Sequence, residues 1–299
     1  MSKTEFLTSP ANPLLKEVRR ALLRGALTRE GCCVAEGFHL LEEALRSDCR
    51  VEAVLAAESV RSAVESHVRR LAGLRLAVLP DSLFQDLSGT EAPQGVMALV
   101  RPPQWSLEQL FRGKPLVMVL DGVQDPGNAG TILRAAEAFG ATGVLLVKGS
   151  VSPYNPKAVR ASAGSVFRLP LVASLDAALA RAALEQRRLD RYAAMPAGKK
   201  ALGEADLTRR CALIVGSEGR GVSEKLRAGA IDLRIPVSGV ESLNAAMAAT
   251  VLLYEAHRQR PGLVNLRFGQ AGVEQAHARS MRWRCASYSS TVAAIAAFR

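Results

Sequence analysis

The chain has 299 residues, 48% of them hydrophobic, which predicts about two domains with conventional cores. Its formal net charge of +11 favours a polyanionic partner, nucleic acid before membrane, although a soluble basic protein without such a partner would carry the same charge. The opening MSKTEFLTSP lacks the basic-then-apolar pattern of a secretory signal, no apolar run approaches the ~20 residues that span a bilayer, and the five cysteines contain no C-x-x-C. A reducing cytoplasmic compartment is expected, with neither a disulfide framework nor a zinc site.

Asn12-Pro13 marks a helix start, and Leu14, Leu15, Val18, Leu22 and Leu23 repeat behind it at helical spacing. Lys16, Arg19, Arg20 and Arg24 fall on the opposite face, either a solvated surface or a set of phosphate contacts. Gly37 precedes a second helix, 38–45. A strand at 51–55, a helix at 59–71, a strand at 74–79 and a last strand at 95–100 follow. This alternation predicts a small α/β domain over residues 1–100. It contains no catalytic constellation, since His39 and His67 lack acidic or cysteine partners at a recognisable spacing. Arg101-Pro102-Pro103 opens a linker, 101–113.

Residues 116–120 read as a fully buried strand, followed by the turn chemistry of Asp125-Pro126-Gly127. Asn128 is the expected N-cap of a helix carrying Ile132, Leu133, Ala136 and Phe139, which Gly140 stops before a strand at 144–147. The pattern continues with a helix at 156–163, a strand at 166–172, a helix at 175–187 and a strand at 190–194. So regular an alternation implies a parallel sheet with helices on both faces. A strand at 212–215 then runs into Gly216-Ser217-Glu218-Gly219-Arg220-Gly221, whose glycines let the backbone bend sharply and approach a ligand. A strand at 232–236 ends on a proline, and Ser242 is the expected N-cap of an Ala-rich helix that finishes in His257, Arg258 and Arg260. Two strand ends and one helix start thus converge on one pocket made largely of backbone. It is neither a Walker loop, which needs Gly-Lys-Ser/Thr, nor a dinucleotide fingerprint, because the glycine order is G-x-x-G-x-G.

Three ordered motifs, DGVQDPGNAGTILR from Asp121 to Arg134, GSEGRG from Gly216, and Ile235-Pro236-Val237 with Ser242-Leu243-Asn244, resemble the SpoU/TrmH family of RNA ribose 2′-O-methyltransferases, in the SPOUT superfamily. The resemblance covers residues 114–260. A weaker one, in SPANPLLKEVR, AEGFHLLEEAL and TEAPQGVMALV, points to the family's N-terminal substrate-binding domain. The resemblance implies a trefoil knot in the C-terminal domain, S-adenosylmethionine as donor and a homodimer. It also implies structured RNA as substrate, 23S ribosomal before transfer RNA.

Residue by residue, the resemblance makes Arg134 catalytic, supported by Asn128, Glu218, Ser242 and Asn244. Gly216, Gly219, Ile235 and Leu243 fall at donor-contacting positions, and Arg160, with Ser162-Ala163-Gly164-Ser165, in a loop near the RNA. No metal is implied. Taken alone, Glu218 also suits a helix N-terminus, Asn244 an ordinary first turn, and Ile235 and Leu243 a plain core. Arginine is a poor general base, so Arg134 is expected to orient a phosphate and stabilise a forming alkoxide. Ala246, Ala249, Thr250 and Leu253 offer a small-residue face for the dimer. An antibiotic-resistance methylase would share these residues, and the alternative class is a non-catalytic RNA-binding or ribosome-assembly protein on the same fold. Residues 261–299 depart from the family pattern and are expected to be poorly ordered or an added helix.

Overall fold

A computed structural model describes residues 3–47, 49–69, 71 and 73–260; the tail, 261–299, lies outside them. Asn12 caps the first helix, α1 (Pro13–Arg24), its Oδ1 accepting from the Leu14 N–H at 2.9 Å, and Gly25 closes it at φ 59°. Leu15, Val18 and Ala21 are buried, but Leu23, expected beside them, is 82% exposed. At 3.6 residues per turn it has rotated past the edge of the stripe.

Five strands form the first sheet: β1 (Lys3–Phe6), β2 (Cys33–Glu36), β3 (Arg50–Ala57), β4 (Arg75–Leu79) and β5 (Val96–Arg101), in the order β1-β4-β3-β5-β2. α2 (Phe38–Arg46), α3 (Arg61–Val68) and α4 (Asp81–Leu87) connect them. The expected helix at 59–71 is a 3₁₀ turn, Glu58–Val60, running into the shorter α3, and β1, β2 and α4 were not anticipated. One face packs Leu55, Leu79 and Met97 against Leu15, Val18 and Phe84 of α1 and α4. Arg101 belongs to β5, so the irregular connection begins only at Pro102 and gives way to α5 (Leu107–Leu110).

The second sheet has seven strands, all parallel. They are β6 (Leu116–Asp121), β7 (Gly143–Val147), β8 (Leu171–Leu175), β9 (Asp190–Ala194), β10 (Lys200–Ala201), β11 (Cys211–Gly216) and β12 (Ile231–Arg234), in the order β10-β12-β9-β11-β6-β7-β8. The helices are α6 (Pro126–Ala138), α7 (Pro156–Ala161), α8 (Ala177–Gln186), α9 (Glu224–Arg227) and α10 (Ala245–Arg258). Alternation divides β6 between two cores: Leu116, Met118 and Leu120 face α6 and α10, while Val117 and Val119 face α8 and α9. Both faces are covered, which is why the strand reads as one apolar run.

Two elements differ from expectation for local reasons. The strand expected at 166–172 is a 3₁₀ turn, Ser165–Phe167, followed by β8, because Pro170 offers no N–H to a ladder that starts after it. The strand expected at 232–236 stops at Arg234, short of its proline. Among the described residues no helix is long and apolar enough to cross a membrane.

The two sheets meet at a polar seam over a shared apolar cluster that includes Val54 and Leu76 as well as Met118 and Ile132. Arg168 bonds to both Glu137 oxygens at 2.8 and 3.0 Å and also to Glu43 of α2. Gly164 lies against the same Glu43, where a β-carbon would meet the Glu43 Cβ at 2.6 Å.

α10 packs on α6 and β11, burying Ala246, Ala249, Leu252, Leu253 and Ala256. The small-residue face expected between subunits is therefore spent inside one chain, and the Thr250 hydroxyl bonds back to the Ala246 carbonyl at 2.7 Å. The outward side of α10 instead exposes Met247, Val251 and Tyr254.

Candidate active site

Register places the ends of β6 and β11 side by side, Gly216 opposite Asp121, so their loops open at the same carboxyl edge of the sheet. The buried Asp121 ties them together, its Oδ2 accepting from the Ser223 N–H at 2.6 Å. The glycine loop doubles back on itself. Gly221, at φ 63°, donates its N–H to the Ser217 carbonyl at 2.8 Å, and a β-carbon on Gly216 would fall 1.9 Å from the Gly221 carbonyl carbon. Gly216 thus admits no side chain, whereas a β-carbon on Gly219 would meet nothing within 4 Å.

Two helices begin at this loop. Asp125 is the N-cap of α6, with Pro126 at its first position, and accepts from the Asn128 N–H at 2.7 Å. Asn128, expected as the cap, is inside the first turn, where its side chain is free to point outward. Asn244, not Ser242, caps α10: its Oδ1 accepts from the Ala246 and Met247 N–H groups at 2.9 and 3.4 Å. Its Nδ2 is left to donate to Glu218 Oε1 at 3.0 Å, and Asn128 Nδ2 donates to the same oxygen at 2.6 Å. At the far end, Phe139 meets Tyr254 edge to face at 5.8 Å. α6 and α10 therefore run parallel, with both N-termini at one carboxylate, where their dipoles favour negative charge.

A cleft of about 510 Å³ opens beside this carboxylate, lined among others by Asp121, Asn128, Glu218, Gly219, Lys148 and Arg220. The remaining expected residues lie around it. Gly216, Ile235 and Leu243 stand at the ends of β11 and β12 and just before α10, with Ile235 and Leu243 half-buried. Ser242 is exposed and its hydroxyl makes no hydrogen bond among the described residues. Arg134 is exposed two helical turns along α6, about 9 Å from Asn128 at 1.5 Å per residue. Glu218 is thus oriented by two asparagines and does not touch Arg134 of its own chain. On β12, the Asp232 carboxylate accepts from Arg227 through both oxygens at 2.9 and 2.7 Å, which holds that carboxyl below the usual carboxylate range.

Of the α1 cations, Lys16 and Arg24 are exposed and Arg19 half-buried, while Arg20 bonds to Glu17. Arg160 stands on α7 facing Glu36 of the first sheet. Asp121 and Arg220 entered the sequence reading only as members of motifs, without a role at the site, and Lys148 was not singled out. A carboxylate closing an apolar run at the carboxyl end of a parallel strand was the available signal for Asp121.

Comparison with known proteins shows the family. Residues 115–254 match the SpoU rRNA Methylase family, and residues 12–98 the MRM3-like substrate binding domain. An uncharacterized tRNA/rRNA methyltransferase of Synechocystis is 35% identical over 274 residues, 85% of this chain and 94% of that protein. The chain belongs to the SpoU methylase family. A Bacillus subtilis member, 23S rRNA (guanosine(2553)-2′-O)-methyltransferase, is 31% identical over 83% of this chain and 97% of its own length. The crystal structure of the SpoU methyltransferase AviRb from Streptomyces viridochromogenes, in complex with the cofactor AdoMet, superposes with a TM-score of 0.76 at 30% identity. That match covers 84% of this chain and 99% of AviRb.

Proposed function

We propose that this SpoU-family chain methylates a ribose 2′-hydroxyl in structured ribosomal RNA, with S-adenosylmethionine as donor, in the cytoplasm and as a homodimer. The observation that carries the reading is Glu218, held by Asn128 and Asn244 where two helices start beside a glycine loop that admits no side chain at Gly216. The residues fit the donor. The turn from Gly216 to Gly221 offers main-chain groups, and half-buried Ile235 and Leu243 offer apolar surface for a base. Gly219 leaves the loop open to approach. The family's trefoil knot, in the C-terminal half of residues 114–260, is part of this reading.

S-adenosylmethionine, when bound, supplies a methyl group on a sulfonium, a good leaving group. The protein's share is positioning and control of the hydroxyl proton. Asn128 and Asn244 fix the Glu218 carboxylate, which orients the ribose through its hydroxyls. Arg134, permanently cationic, orients a phosphate and stabilises the oxygen as its proton leaves. Because Arg134 lies outside its own cleft, we place it in that of a second copy. The exposed stripe of Met247, Val251 and Tyr254, 57%, 36% and 53% accessible, is the surface we assign to that contact. Residues 1–100 bind RNA in this scheme, with Lys16, Arg19, Arg20 and Arg24 touching phosphates and Arg160 at the seam beside them.

The deciding experiment maps ribose methylation in ribosomal RNA from a strain lacking the gene, and restores it with purified protein and tritiated donor. A single missing 2′-O-methyl group that the protein replaces supports the proposal. An unchanged methylation map with no tritium transfer refutes it.

A further inference from the structure

The basic helix α1 and the cleft belong to different sheets, yet a short row of contacts joins them. Gly25, which ends α1, is buried, and a β-carbon there would lie 2.3 Å from the side-chain nitrogen of Asn155. Asn155 caps α7, its Oδ1 accepting from the Lys157 N–H at 2.9 Å. Lys157 then reaches the start of α6. Its Nζ is 3.7 Å from Asp125 Oδ2, and its Cε would be 3.6 Å from a β-carbon on Gly127. From Asp125 one N-terminal turn leads to Asn128 and Glu218. That row of contacts therefore links the surface around Arg24 and Lys157 to the cleft.

The charges along that surface are unevenly committed. The Asp125 Oδ1 and Glu218 Oε1 oxygens already accept from Asn128 N, and from Asn128 Nδ2 and Asn244 Nδ2. Lys148 lines the cleft, is exposed, and has no ion pair among the described residues. The Lys157 side chain is 61% exposed, and its approach to Asp125 is long for an ion pair in water, an interaction worth little. Its ammonium can leave Asp125 for a stronger anion at small cost.

We propose that Lys157 and Lys148 form a phosphate track, which carries the RNA backbone from the C-terminal end of α1, across the Gly25–Asn155 contact, to the cleft. It rests on the RNA-methylation reading and extends it to residues outside the basic helix. Lysine suits the task, because a compact ammonium on a flexible stem follows a phosphate without reading the base.

The test measures binding of the full-length protein to protein-free 23S ribosomal RNA by filter retention, from low to moderate salt and without methyl donor. Lys157→Gln and Lys148→Gln should each weaken binding three- to tenfold and lower the slope of log K against log salt by roughly 0.7–0.9, one counterion release apiece. Lys157→Arg should restore the slope. Lys157→Gln should also leave donor affinity and melting temperature unchanged. If Lys157 is only a brace on Asp125, Lys157→Gln lowers the melting temperature with an unchanged salt slope, and the track is overturned. The two readings fail differently. Intact methyl transfer with unaltered slopes in both variants removes the track alone. Slopes that fall as expected in a protein that methylates no RNA keep the track and remove the methylation reading.

Discussion

Arg160 Nη1 stands 3.5 Å from Oε2 of Glu36, joining a helix of the second sheet to a strand of the first. The Glu36 side chain is 3% exposed and also accepts from the hydroxyls of Ser88 and Thr90. A carboxylate this deep needs each partner, since losing one leaves a buried charge undercompensated. We predict that Arg160→Gln lowers stability by about 1–3 kcal/mol. A double-mutant cycle with Glu36→Gln should show coupling of at least about 0.5 kcal/mol in urea unfolding. Additive effects would mean that the contact does not hold the seam.

Arg134→Ala should reduce methyl transfer by about a hundredfold or more, the cost of removing one charge-stabilising donor. Donor binding and melting temperature should stay near wild type, because the side chain is exposed and lies outside its own cleft. Arg134→Lys should recover little, lacking the planar fork. Calorimetry with a tritium-transfer assay decides it, and wild-type turnover in Arg134→Ala would remove the catalytic role.

The two glycines of the loop should behave oppositely. Gly216→Ala must push a β-carbon into the Gly221 carbonyl, costing about 1–3 kcal/mol in the range of overpacked sites and abolishing donor binding. Gly219→Ala meets open space within the protein and should keep stability. Equal responses in a melting and calorimetry series would show that loop closure does not shape the site.

The outward stripe of α10 predicts an oligomer switch. Val251→Glu should give a folded monomer by light scattering at micromolar concentration and lose methyl transfer, while Ala-to-Ser changes at the buried Ala249 should act on stability. A dimer that survives Val251→Glu and Tyr254→Lys together would move the interface elsewhere.

How far the sequence carried these conclusions depends on distance along the chain. β6 and β11 were legible because both faces of each are covered, leaving uninterrupted apolar runs. The caps were misplaced by two or three residues where Asp125, Asn128, Ser242 and Asn244 all had suitable side chains. Pro126 at the first position of α6 decided the first case, and Asn244 bonding to both Ala246 and Met247 the second. Ala246, Ala249 and Leu253 suit close packing equally well against another subunit or against α6, and periodicity alone cannot distinguish these. What stayed unreadable were the non-local pairs, Asn128 with Glu218 at a separation of 90 residues and Arg160 with Glu36 at 124.

The depressed Asp232 carboxyl gives a pH test. Its pKa is lowered chiefly by the hydrogen bonds from Arg227, so its contribution is complete above the ordinary aspartate range, about pH 4, and fades as the pH falls through the native value. Asp232→Asn should flatten the acid limb of the stability curve there, measured by urea midpoints. An unaltered limb would assign acid sensitivity to other groups.

The parallel packing of α6 and α10 has a consequence for tolerance to change. Side-by-side helices pointing the same way bring their positive ends together, an arrangement that repels itself unless something negative sits between them. Glu218 sits there, so the group that faces the cleft also quiets a conflict in the scaffold. Many proteins concede robustness for activity at such positions. With Glu218 in the proposed role the two demands coincide: a chain that lost it is expected to become less active and less stable together, with no stability benefit to set against the lost activity.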